Sequence, residues 1–164
     1  MTTRTWTALV FVAVMGGAGC TTAAPPAQDV AADKAKMQAD ATSWFDFLDK
    51  GDAEGMANLY AEDALLMPPG VAAMNGRAAI RTFLAGEVAG MKSAGLAIKN
   101  GTVTGADVSG DMGWISGNYT VVDGSGAAVD SGNYMSVHKR TNGQWLYIRD
   151  TWNSDRPPAA PAPK

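Results

Sequence analysis

Between residues 29 and 50 the chain has neither Pro nor Gly, and Val30, Met37, Ala41, Trp44, Phe45 and Leu48 recur at steps of three, four and seven. Those steps line up one face of an amphipathic helix. Gly51, directly after Lys50, is placed to close it as a C-cap. Asp52 is placed to cap a second, short helix to about residue 61, with Met56, Leu59 and Tyr60 turned inward. Leu65, Leu66 and Met67 read as a short strand, Pro68-Pro69-Gly70 as a turn, and 71–74 as the returning strand. A third helix is predicted over 77–88, with Ile80, Phe83 and Leu84 on one side.

After Gly90 the period changes from helical to alternating. Four strands are predicted, at 96–108, 112–122, 129–140 and 144–153. Ser109-Gly110-Asp111, Asp123-Gly124-Ser125-Gly126 and Asn142-Gly143 separate them as turns. Strands joined this tightly pair as an antiparallel meander. Three helices followed by a curved antiparallel sheet give an α+β architecture.

The ends of the chain have a different character. Arg4 is followed by an apolar run from Trp6 to Met15, too short for a membrane span of about 20 residues. Positive start, apolar core, then small residues is the signal-peptide pattern. Ala18-Gly19-Cys20 resembles the lipobox of bacterial lipoproteins, although Gly17 stands where that motif carries an aliphatic residue. A lone thiol is a liability in an oxidising compartment, and acylation would remove it. The alternative is ordinary cleavage near Ala24, which discards Cys20. The expected partition is a signal peptide at 1–19, lipidated Cys20 and a flexible tether at 20–28, one domain at 29–155, and a Pro/Ala tail at 156–164. The resemblance to lipoproteins of Gram-negative bacteria, with Thr21 after the cysteine, implies the periplasmic side of the cell envelope, anchored at the outer membrane.

Composition narrows the chemistry. Net charge is −3 with no Lys/Arg cluster, which argues against nucleic acid and against a polybasic membrane patch. The lipid would be the only membrane contact. One Cys and one His, Cys20 and His138, leave no internal disulfide and no Cys/His zinc site. No acidic loop has calcium spacing, and there is no phosphate loop, nucleophile elbow or dinucleotide fingerprint. Neither a metal nor a cofactor is expected.

Several short stretches carry a resemblance in their order. They are Gly51-Asp52, Leu59-Tyr60-Ala61-Glu62-Asp63-Ala64, Gly76-Arg77-Ala78-Ala79-Ile80, Asn142-Gly143-Gln144-Trp145 and Arg149-Asp150-Thr151-Trp152-Asn153. Together, from about Ala39 to Asp155, they resemble the SnoaL-like, ketosteroid-isomerase-like domains of the nuclear transport factor 2-like superfamily. The resemblance implies a cone-shaped fold, with the sheet curled around the first helix and an apolar pocket at the open end. It leaves function open, since some members are enzymes and others are binding or dimerising modules. Ketosteroid isomerases use a tyrosine, a carboxylate base and a protonated carboxylic acid. The corresponding positions here fall on Trp44, Pro68 and near Met135, so that chemistry is not expected.

Asp150 is the candidate acid or base. Period two places it on one face of the last strand with Leu146, Ile148 and Trp152, where burial would raise its pKa. Trp44, Leu48, Tyr60, Met67, Phe83, Trp114, Tyr119, Ile148 and Trp152 are the candidate pocket residues, and Tyr134 adds aromatic surface. Plain core packing is the alternative for each, and side chains such as Met67, Phe83 and Trp152 would fill the cone if they pointed inward. His138, beside Lys139 and Arg140, reads as a half-exposed strand residue. Three functional readings follow. The domain binds a small apolar or amphipathic molecule, or is an isomerase- or hydratase-like enzyme with Asp150 as general base, or is a homodimeric interaction module.

Overall fold

The computed structural model describes residues 28–157. The leader, Cys20, nearly all of the expected tether and most of the tail lie outside the described residues.

Helix α1 is Val30–Lys50, opened by Asp29, whose Oδ1 accepts from the Ala32 N–H at 3.0 Å. Gly51 closes it in the left-handed region at φ 76°. Asp52 caps α2, Ala53–Ala57, by accepting from the Gly55 N–H at 2.8 Å. This helix ends before the predicted residue 61, and Tyr60 instead opens strand β1, Tyr60–Met67. The cause is non-local: the Tyr147 N–H donates to the Leu59 carbonyl at 2.9 Å, and Tyr60 lies in register with Tyr147.

Strand β2 is the short return Met74–Asn75. Helix α3, Arg77–Ala94, runs past the predicted stop at 88. It passes through Gly90, because Val88 and Met91 continue the apolar stripe and the left-handed stop comes at Gly95. Strands β3 (Ala97–Ser109), β4 (Met112–Val122), β5 (Ala128–Thr141) and β6 (Gln144–Ser154) follow, within a residue or two of expectation. Asn142 and Gly143, at φ 52° and 80°, make the two left-handed positions of a tight hairpin turn.

The six strands form one sheet in the order β2-β1-β6-β5-β4-β3. All pairs are antiparallel except β1 with β6, which is parallel. The sheet is curved and open, and the helices pack on it as in a cone. On β4, Gly113, Ile115, Gly117 and Tyr119 are buried on the concave side, while Met112 and Trp114 are exposed on the convex side. Helix α1 lies against the concave side. The Met37 sulfur occupies the place of a Gly113 side chain, within 2.7 Å of where its Cβ would be.

Two core clusters hold the cone. Met56, Tyr60, Leu66, Ile80, Leu84 and Tyr147 join α2 and α3 to β1 and β6. Met37, Val108 and Trp145 close the narrow end. There Arg140 pairs with Asp33 and Asp111, both at 2.9 Å, and lies 5.0 Å over the Trp145 ring. Gln28, expected as the last tether residue, is held at the same end by bonds to Asp33 and Gly110.

Candidate functional site: an apolar cavity with one buried carboxylate

The wide end of the cone holds a cavity of about 550 Å³. The second half of α1 supplies Ala41, Trp44, Phe45 and Leu48, and α3 supplies Leu84, Glu87 and Met91. Ile98, Tyr119, Val121 and Tyr134 form the sheet wall, with Leu96 just before β3, and β6 adds Tyr147, Asp150 and Trp152. Two glycines keep that wall flat. Tyr134 lies over Gly117, its register partner, with the hydroxyl 2.4 Å from where a Cβ would stand. Tyr119 lies over Gly132 in the same way, also at 2.4 Å. Any side chain at either glycine would push a ring off the sheet.

Asp150 is the polar centre of the site. It is buried, and its Oδ2 accepts from the Tyr60 hydroxyl at 2.6 Å. The Tyr60 hydroxyl in turn accepts from the Trp44 indole N–H at 3.0 Å. Burial pushes the Asp150 pKa up to about 7, against the opposing pull of the Tyr60 hydroxyl and the Thr151 N–H. Burial first, and the nearby carboxylate second, raise the Tyr60 phenol well above its ordinary value, so it stays a donor.

A β-bulge puts this group in place. Tyr147 lies opposite His138 and Arg149 opposite Val137, so one step on β5 spans two on β6, with Ile148 the extra residue. Beyond the bulge the inward face passes from odd to even positions. Tyr147 and Asp150 therefore both reach the cavity, although they are three residues apart. Simple alternation predicts Asp150 and Trp152 correctly and Ile148 incorrectly.

Of the residues singled out from sequence, Trp44, Leu48, Tyr119, Asp150 and Trp152 come together on the cavity wall. Tyr60 stands one layer behind, fully buried, and touches the site through Asp150. Phe83 and Ile148 pack against the α2–α3 core cluster instead. Met67 lies outside the cavity lining at the end of β1, where its carbonyl accepts from the Thr151 hydroxyl at 2.8 Å. Trp114 is on the convex surface, 38% exposed, covering Gly105. With Met67 and Phe83 outside and Trp152 in the wall, the cone is open. Met135, near the position of an isomerase acid, is 49% exposed on the convex side.

His138 is fully buried rather than half-exposed. It shares the buried, concave face of β5 with Gly132 and Ser136, while Met135 and Lys139 point to the other face. Its Nε2 is 2.9 Å from the Ser136 hydroxyl and its ring 4.1 Å from that of Tyr147. Desolvation lowers its pKa to about 4, so it is neutral and packs as part of the core. Phe45, Met56 and Tyr147 are lining residues that the sequence reading did not select. The first two stood on predicted inward faces, whereas Tyr147 precedes a bulge that changes the inward face from odd to even positions and leaves no local signal. Among the described residues no three His, Cys, Asp or Glu side chains converge as a metal site would require.

Comparison with known proteins agrees with this architecture. The SnoaL-like domain matches residues 41–148. An NTF2-like protein with a cystatin-like fold from Novosphingobium aromaticivorans is 25% identical, with a TM-score of 0.67 over 74% of this chain and 81% of that one. A Nostoc punctiforme protein of unknown function, also with a cystatin-like fold, is 21% identical, with a TM-score of 0.65 over 80% and 96%. A ketosteroid isomerase-like protein from Erwinia carotovora atroseptica is 18% identical, with a TM-score of 0.57 over 76% and 98%. None of the curated proteins compared matches the chain. The fold, the wide-end cavity and the match over most of the domain lead to one conclusion: this chain belongs to the SnoaL-like family, within the nuclear transport factor 2-like superfamily.

Proposed function

We propose that the domain binds a small apolar or amphipathic molecule in the wide-end cavity, with Asp150 as the ionisable group against it. The observation that carries this reading is an open cavity of about 550 Å³ whose wall is aromatic and aliphatic around a single buried carboxyl group. Ligand sites have this form, concave and apolar with a few placed polar groups, at volumes of roughly 300–1,000 Å³. Native mass spectrometry of gently purified protein tests it. A co-purifying small molecule, lost on denaturation, is the expected result. Failure to retain or take up any apolar molecule contradicts the reading.

A second reading has a specific observation behind it. A carboxyl group titrating at about 7 can take and return a proton near neutral pH, as an isomerase- or hydratase-like reaction requires. The ketosteroid isomerase-like relative belongs to a fold that hosts such chemistry. On this reading Asp150→Asn abolishes turnover of the recovered ligand while the protein stays folded. Retained turnover would remove it. The leader reading adds an envelope location, which metabolic lipid labelling of the parent and of Cys20→Ser would test.

A further inference from the structure

The cavity is one-sided in charge. Among its lining residues the acids are Asp150 in the interior and Glu87 and Asp130 besides. Among the described residues the single lining base is Arg156, an exposed side chain 3.7 Å from Asp130. The groups that face Asp150 carry no positive charge. They are the phenols of Tyr60 on β1, Tyr134 on β5 and Tyr147 on β6, with the Thr151 N–H beside it. The nearest α1 group is the Trp44 indole, which reaches the carboxylate only through Tyr60.

We propose that the occupant is an apolar molecule carrying a protonated amine, with the ammonium seated beside the Asp150 carboxylate. This rests on the binding reading above and names the head group. A buried carboxylate without a cation is unfavourable, and none of the lining side chains supplies one inside the cavity. An ammonium supplies it and gains a charge-assisted hydrogen bond. Trp44, Phe45, Tyr134, Tyr147 and Trp152 line the same space, and aromatic faces attract cations most strongly where water is excluded. A carboxylate or phosphate ligand would instead meet Asp150 in the interior, while the lining base, Arg156, stands exposed beside Asp130. The structure therefore selects against anionic amphiphiles and leaves a neutral head group as the weaker alternative.

The test is calorimetric titration of the full chain at pH 8 with three molecules of similar size: naphthylmethylamine, naphthylmethanol and naphthoate. The amine should bind about tenfold tighter than the alcohol, the scale of one charge-assisted hydrogen bond, and naphthoate should be weakest. In Asp150→Asn the advantage of the amine over the alcohol should vanish. The wild-type series stands without the variant, so misfolding of Asp150→Asn would not blunt it. Equal binding of amine and alcohol, or tightest binding of naphthoate, would overturn the amine proposal while leaving the cavity reading intact. Binding of none of the three would overturn both.

Discussion

The Tyr60 hydroxyl donates to Asp150 Oδ2 at 2.6 Å, joining the first residue of β1 to a residue 90 positions later on β6. The two strands are parallel neighbours, so the contact depends on the one non-antiparallel pairing in the sheet. It also depends on the β6 bulge that turns Asp150 inward. Tyr60 opposes the effect of burial on Asp150 by hydrogen-bonding its charged form. Tyr60→Phe should therefore move the Asp150 titration upward from about 7. It should also lower stability by about 2 kcal/mol, because Trp44 loses its acceptor as Asp150 loses its donor. Carboxyl-carbon NMR and urea unfolding measure the two effects. A midpoint that stays or falls would contradict the assigned role.

Asp150 and His138 impose opposite pH dependences on stability. The folded Asp150 pKa is raised from 3.8 to about 7. Its contribution is thus fully present below pH 3.8 and is lost as pH rises through 7, amounting to about 4 kcal/mol. The folded His138 pKa is lowered from 6.5 to about 4. Its contribution is present above 6.5 and is lost as pH falls through 4, amounting to about 3 kcal/mol. Between these limits the two slopes nearly cancel, and the parent should show a flat stability curve. Asp150→Asn should uncover a stability that rises with pH across the window and exceeds that of the parent at pH 8. Chemical denaturation from pH 4 to 8 gives the curves, and parallel curves for both proteins would contradict the linkage.

Gly117 and Gly132 both underlie tyrosines, yet they should respond differently to alanine. A Cβ on Gly117 meets the Tyr134 ring first, a side chain with space to move into the cavity. Gly117→Ala should fold and lose about tenfold in affinity for naphthylmethanol, because the displaced ring takes up ligand volume. A Cβ on Gly132 would stand 2.0 Å from the Asn153 carbonyl, which is strand backbone. Gly132→Ala should lower stability by about 2 kcal/mol or more. Thermal melts and calorimetry separate the two, and equal effects on folding would contradict the geometry.

At the narrow end, Arg140 holds Asp33 on α1, Asp111 in the β3–β4 turn, and the Trp145 face at once. Arg140→Ala leaves Asp33, whose side chain is 13% exposed, without its cation. Stability should fall, because Asp33 and Asp111 lose a shared cation and the Trp145 face loses its cover. Ligand affinity should not change, since the cavity is lined by the other half of α1. Altered ligand binding with unaltered stability would reverse this assignment.

Local periodicity made most of the fold legible. Strand β4 is bounded by two glycine-marked turns, and α1 keeps its stripe from Met37 to Leu48. What escaped was decided by distant partners. Tyr60 has helical neighbours in sequence but is captured by β6, and His138 sits beside two cations in sequence but is buried on the concave face against the Tyr147 ring. Alternation put Asp150 and Trp152 on the cavity face correctly. It misplaced Ile148 and overlooked Tyr147 because a bulge has no signature in the hydrophobic pattern. Trp114 was misread because size and aromaticity do not say which face of a sheet a residue takes.

The most direct test of the account is a carboxyl-carbon NMR titration of Asp150, run on the free protein and again with saturating naphthylmethylamine. A midpoint near 7 is expected in the free protein, with a clear downward displacement when the amine is bound, because the ammonium stabilises the carboxylate. A midpoint in the ordinary carboxylate range, or one that the bound amine leaves unmoved, would contradict it.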